Sequence, residues 1–157
     1  MNRDTDVEGS PGGRNFEELI FILTTRCNQR CGFCCEPPGD PDMSSGDAER
    51  WLDIVADRGV PWVDFSGGEP LLHPDVGSLL GHARDRGLGI TLSTNGLIVG
   101  RFRERLKGLV DQCNTSVHGI AATHDETVGV RGSYDAVIGA ISSFADSGTV
   151  VHVTVVV

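Results

Sequence analysis

Unbroken apolar runs alternate along the chain with stretches whose apolar residues recur at helical spacing. Leu19–Thr24 (LIFILT) is continuous, the pattern of a strand buried on both faces. Three prolines within Glu36–Asp42 exclude regular structure there. Ser44, with Asp47 three residues on, opens a helix that runs through Trp51, Leu52 and Val55 and stops at Gly59. Trp62–Phe65 is a second strand. Asp75 behind Pro74 caps a second helix to Arg86, and Gly87 ends it. A third strand at Gly89–Ser93, a short basic helix at Arg101–Lys107 and a fourth strand at Cys113–Val117 follow. Ser133–Asp146 is a helix closed by Gly148, and Val150–Val157 is a fifth strand.

Strands and helices in strict alternation predict a parallel α/β sheet with right-handed crossovers. At 157 residues the chain fits one domain, over 16–157. Residues 1–15 are polar and rich in Gly and Pro, the composition of a disordered leader, with no apolar core for a signal peptide. No apolar stretch approaches the ~20 residues a membrane helix needs. These features predict a cytoplasmic protein that makes no use of a membrane. The apolar last strand has nothing to cover it, which implies either a fragment or a partner chain that completes the sheet.

Composition changes the picture in three respects. Glycine, at 21 residues, is in excess, implying tight turns or close backbone approaches. The net charge of −9, without a basic stripe, excludes nucleic acid as a partner. Four of the five cysteines fall between Cys27 and Cys35; in a reducing compartment that clustering asks for a metal or redox role.

Cys27, Cys31 and Cys34 are spaced four and then three apart in a loop after a strand. Soft thiolates select iron–sulfur or zinc. Three ligands, rather than the four of a structural zinc site, leave one metal corner open. Cys35 is a weaker fourth donor because adjacent side chains seldom reach one cluster. On spacing alone, zinc and an iron–sulfur cluster both remain.

The run Cys27–Cys34, with Phe33 before the last cysteine, resembles the C-x3-C-x2-C signature of radical SAM enzymes. Gly67-Gly68-Glu69-Pro70 and Ser93-Thr94-Asn95-Gly96 are similar to that family's motifs at the next two strand ends, and the fourth strand ends in Ser116-Val117-His118-Gly119. The resemblance implies a partial parallel (β/α) barrel of radical SAM type, with about five strands present and the carboxyl-terminal end missing. It implies a 4Fe–4S cluster on Cys27, Cys31 and Cys34, and S-adenosylmethionine cleaved reductively to a 5′-deoxyadenosyl radical that abstracts hydrogen from a substrate. Gly67 and Gly68 would let backbone approach the methionyl part of the cofactor. Glu69 would accept from its α-ammonium. Ser93 and Asn95 would contact its ribose or carboxylate, with Ser116 a further contact and His118 and Arg131 weaker ones. An electron donor such as a flavodoxin or ferredoxin is implied as partner. Gly132-Ser133-Tyr134-Asp135, followed by a helix and a Val-rich strand, is similar to peptide-modifying and cofactor-maturing members, pointing to a peptide or cofactor precursor as substrate. The competing reading is a non-catalytic iron–sulfur or zinc module that acts only with a partner chain.

The remaining chemistry-bearing residues have plainer expectations. His73 enters a helix, His82 lies on an exposed helix face, and His124 and Asp125 are solvated loop residues. His152 is structural, Cys113 a small buried hydrophobe, and Trp51 and Trp62 core residues. Arg101, Arg103, Arg105 and Lys107 form a solvated helix face.

Overall fold

The computed structural model describes residues 16–35 and 41–156. The proposed leader (1–15) and most of the proline segment (36–40) lie outside the described residues. Five strands form one sheet in sequential order: β1 (Glu18–Thr24), β2 (Trp62–Gly67), β3 (Gly89–Ser93), β4 (Gln112–Val117) and β5 (Val150–Val155). Every neighbouring pair is parallel. The helices are α1 (Ser45–Asp57), α2 (Val76–Asp85), α3 (Val99–Leu106), α4 (Ala122–Val128) and α5 (Ser133–Asp146), with a 3₁₀ turn at Pro70–Leu72. The predicted alternation is therefore present, with one helix more than the sequence predicts.

Strand alternation and register sort the sheet into two unlike faces. Phe21, Leu23, Val63, Phe65, Ile90, Leu92 and Cys113 fall on one face and are buried. They share a core with Ala48 and Leu52 of α1, Leu79 and Leu80 of α2, and Phe144 of α5. Glu18, Asp64, Ser66, Thr91, Ser93, Asn114, Ser116, His152 and Thr154 fall on the other face. Ile20 and Ile22 share that second face and are 60% and 43% exposed, so β1 is not buried on both sides as its continuous apolar run predicts. The core helices pack on the first face; the second carries the polar side chains, and β1 adds two isoleucines to it.

Local signals explain most element boundaries. Ser44 caps α1: its Oγ accepts the Asp47 N–H at 3.1 Å and donates to the Asp47 carboxylate at 2.7 Å. The helices preceding Gly59, Gly87 and Gly148 end as predicted, with those residues at φ 73°, 76° and 85°. Asp75 occupies the N-cap of α2 but makes no capping bond there; its carboxylate instead accepts from Ser45 Oγ at 2.6 Å, tying α2 to α1.

Three expectations need correction. Trp51 is 52% exposed, beside β1, rather than a core residue. His82 is half-buried, with Nε2 2.9 Å from Asp53 Oδ1, because α1 and α2 pack side by side. His124 is buried within α4 rather than solvated in a loop. Cys113 is buried as expected. On β5, Val150, Val153 and Val155 are exposed. Among the described residues no helix is long and apolar enough to cross a membrane.

Candidate functional site

All four motifs lie at the carboxyl ends of their strands, the edge where parallel α/β folds gather their chemistry. The loop after β1 is fixed first. Thr24 Oγ1 donates to Asp42 at 2.6 Å and accepts the Arg26 N–H at 3.0 Å. Arg26 grips the Asp42 carboxylate through two nitrogens, at 3.0 and 2.5 Å, and reaches the Leu72 carbonyl at 2.7 Å. This fork, with Thr24, holds the Asp42 carboxyl below its usual range.

Gly67 and Gly68 then bring the end of β2 against that loop. The N–H of Gly68 donates to the Thr24 carbonyl and that of Glu69 to the Arg26 carbonyl, both at 2.8 Å. A Cβ at Gly67, whose φ is 132°, would stand 2.2 Å from Thr24 O; one at Gly68 would stand 2.4 Å from Arg26 O. The close approach these glycines permit is therefore to the protein's own cysteine loop.

Glu69 turns inward. It is fully buried, and its carboxylate accepts from the N–H of Leu71 (3.1 Å), the N–H of Asn95 (2.9 Å) and Thr94 Oγ1 (2.9 Å to each oxygen). Burial pushes its pKa up, while these donors oppose the rise. The side chain fastens the β2 end to the β3 end and does not line the adjoining pocket.

Asn95 works outward from the same staple. Its Oδ1 accepts the Leu97 N–H at 3.0 Å, and its Nδ2 donates to Asn28 Oδ1 at 2.7 Å and lies 3.6 Å from Cys27 Sγ. Cys31, Gly67, Gly68, Ser93, Asn95 and Ser116 line one pocket of ≈ 370 Å³, together with Phe33 and His118. Thus the cysteine loop and all three later motifs meet around a single cavity. Arg131, in contrast, is exposed and outside it.

Cys27 and Cys34 are exposed and Cys31 half-buried. The Cys31 thiol is pushed up by burial first, then by the charges of Cys27 and Cys34, so the three feel one another. Among the described residues no group of three or more His, Cys, Asp or Glu is drawn together as for a single metal ion. The donor set is nonetheless all thiol, chemistry that suits iron–sulfur or zinc and not a hard cation.

Helix α4 is the feature sequence reasoning missed. Ala121, at φ 48°, starts it from a conformation L-residues seldom adopt. Inside it, His124 Nδ1 accepts the His118 N–H at 3.0 Å. Asp125 accepts from the N–H groups of Gly132 (2.5 Å) and Tyr134 (2.8 Å), which holds its carboxyl below the usual range and seats α5. The Val128 carbonyl accepts from the Arg30 N–H at 2.9 Å, and the His118 and Phe33 rings lie 4.7 Å apart. The cysteine loop is thereby fastened to the far strand as well as to β2.

Below the pocket, Ser93 Oγ donates to Asp64 Oδ2 at 2.8 Å. Burial pushes the Asp64 carboxyl up; Ser93 opposes this and nearby Glu18 reinforces it. An aspartate with a folded pKa above its unfolded value keeps a proton that the unfolded chain has already released. Its contribution to stability is therefore lost as pH rises from the ordinary aspartate range through the raised value. Asp64→Asn is expected to remove the loss of stability that sets in as pH rises above the ordinary aspartate range. Urea unfolding across that range measures the slope, and an unchanged slope would contradict the raised carboxyl.

Several known proteins are similar to this chain. An AdoMet-dependent heme synthase of Nitratidesulfovibrio vulgaris is 33% identical over 90% of this chain and 40% of its own length. A PqqA peptide cyclase of Streptomyces rochei is 36% identical over 64% of this chain and 27% of its own. Crystal structures of Streptococcus suis SuiB superpose with a TM-score of 0.74. The one bound to S-adenosylmethionine is 27% identical, covering 87% of this chain and 33% of SuiB. The one bound to precursor peptide SuiA is 26% identical, covering 87% and 32%. The five-stranded α/β sheet is thus a partial radical SAM barrel, and the chain spans 40% and 27% of the length of these two curated relatives. With the radical SAM superfamily model matching residues 21–157, the chain belongs to the radical SAM superfamily.

Proposed function

We propose that this chain is the core of a radical SAM enzyme, holding a 4Fe–4S cluster on Cys27, Cys31 and Cys34 and S-adenosylmethionine in the adjoining pocket. The observation that carries this reading is the shared cavity: Cys31, Gly67, Gly68, Ser93, Asn95 and Ser116 line one space at the strand ends. When bound, the cluster supplies the electron that splits the sulfonium and so yields the radical that takes hydrogen from substrate. The rest is work for the chain. The thiols of Cys27, Cys31 and Cys34 would hold the cluster. Gly67 and Gly68 set the pocket wall at backbone height. Glu69 acts by locking Asn95 in place, and Asn95 in turn donates toward Asn28 and Cys27. Ser93 and Ser116 present hydroxyls from neighbouring strands.

A one-electron donor such as a flavodoxin or ferredoxin supplies the reductant in the cytoplasm. The substrate is a peptide or a cofactor precursor, a reading supported by the peptide-bound SuiB neighbour and the heme-synthase and PqqA-cyclase relatives. The test is anaerobic reconstitution with iron and sulfide, followed by dithionite and S-adenosylmethionine. About four irons per chain and release of 5′-deoxyadenosine are expected. A protein that takes up zinc alone and releases no deoxyadenosine would sink the proposal.

A further inference from the structure

Asn95 is held at three points around its contact with the cysteine loop. Its N–H donates to the buried Glu69 carboxylate at 2.9 Å, which fixes the backbone. Its Oδ1 accepts the Leu97 N–H at 3.0 Å, which settles which way the amide faces. The amide nitrogen carries two hydrogens. One goes to Asn28 Oδ1 at 2.7 Å, and the other is left for Cys27 Sγ, 3.6 Å away. Asn95 is half-buried at the wall of the ≈ 370 Å³ pocket, so water reaches this contact only in part.

The cysteine sulfurs of the loop do not all meet the same surroundings. Cys27 Sγ also faces a donor from its own loop, the Gln29 backbone nitrogen at 3.4 Å. Cys31 Sγ faces an acceptor instead, the side-chain oxygen of the same Gln29 at 3.5 Å. A thiolate that ligates iron can only accept hydrogen bonds, and an N–H aimed at it offsets negative charge on the sulfur. Reduction of an iron–sulfur cluster adds one electron, and hydrogen bonds to its sulfurs help to set the potential at which it is taken up.

We propose that Asn95 raises the reduction potential of the cluster by donating a hydrogen bond from its side-chain amide to Cys27 Sγ. It acts through Cys27, as a positioning residue. This deepens the radical SAM reading and rests on it, because the cluster is the one assigned to Cys27, Cys31 and Cys34. The electron comes from the one-electron donor of that reading, or from dithionite, and stays on the cluster; no bond forms or breaks in this step.

A redox titration of the reconstituted chain, followed by electron paramagnetic resonance in the absence of S-adenosylmethionine, compares wild type with Asn95→Leu and Asn95→Asp. Leucine is of similar size and offers no donor. Aspartate keeps an acceptor for the Leu97 N–H and puts a carboxylate oxygen in place of the amide nitrogen. Asn95→Leu is expected to make reduction about tenfold less favourable, equal to about 59 mV for a one-electron couple, and Asn95→Asp to lower the potential further. An Asn95→Leu potential equal to or above that of wild type overturns the proposal. In wild type, asparagine labelled with nitrogen-15 in its side-chain amide is expected to couple to the electron spin of the reduced cluster. Absence of that coupling overturns the proposal even where neither variant holds a cluster. Iron content and 5′-deoxyadenosine release, measured on the same preparations, keep the two readings apart. The expected shift in a protein that releases no deoxyadenosine means that only the radical chemistry fails. Deoxyadenosine release with an unshifted potential means that only the role of Asn95 fails, and a wild type that takes up no iron overturns both.

Discussion

Gly67→Ala is expected to lower stability by at least about 3 kcal/mol and to dislodge the cysteine loop from the sheet. Two costs act together. The residue sits at φ 132°, where an L side chain is strained, and its Cβ would press to 2.2 Å from the Thr24 carbonyl oxygen. Backbone cannot swing aside as a flexible side-chain tip can. Relief would require β1 and β2 to part at their carboxyl ends, breaking the 2.8 Å bonds from Gly68 N–H to Thr24 O and from Glu69 N–H to Arg26 O. Against a total stability of about 5–15 kcal/mol, that loss is large. Gly77→Ala in α2 is the control: nothing lies within 4 Å of its Cβ position, so the change should stabilise the helix by about 0.5–1 kcal/mol. Urea unfolding of both variants measures the contrast. A Gly67→Ala protein as stable as wild type would mean that the loop is not held against β2 as described.

The physical basis of this contrast also shows what the sequence made legible. The two glycines stand out as a motif, but the atoms they approach belong to Thr24, Thr25 and Arg26, far upstream in the chain, and no local pattern reports a contact of that kind. The strand order was readable because apolar runs and glycine stops repeat at regular spacing. The unlike faces of the sheet were not readable from β1, where LIFILT is apolar at every position but its last, yet places Ile20 and Ile22 on the side no helix covers. A signal did exist in β2: Asp64 interrupts an otherwise apolar stretch, and a lone carboxylate in a strand marks the face that turns from the core. Helix α4 escaped because its seven residues, ATHDETV, contain little apolar periodicity and begin from the unusual backbone of Ala121. Glu69 was legible as part of a motif, while the direction of its carboxylate depends on donors from Leu71, Thr94 and Asn95 that only the folded β2 and β3 ends bring together.

Cys27→Ala should abolish iron uptake and deoxyadenosine release, whereas Cys35→Ala should leave both close to wild type. The four thiols of the loop are not equivalent. Cys27 lies 3.6 Å from the Asn95 amide nitrogen, and the Gln29 backbone nitrogen is 3.4 Å from the same sulfur, so two donors face it. Cys31 lines the pocket and feels the charges of Cys27 and Cys34, and the Cys34 N–H closes a turn on the Cys31 carbonyl at 3.1 Å. Cys35 has no place in that set. It follows Cys34 directly and is exposed. Successive Cα atoms stand only ~3.8 Å apart and send their side chains in different directions, so both thiols seldom serve one cluster. Iron falling from about four per chain to near zero in Cys27→Ala, with Cys35→Ala unchanged, is the expected result of anaerobic reconstitution. Equal loss from the two variants would refute the assignment of Cys27, Cys31 and Cys34 and make Cys35 a ligand in its own right.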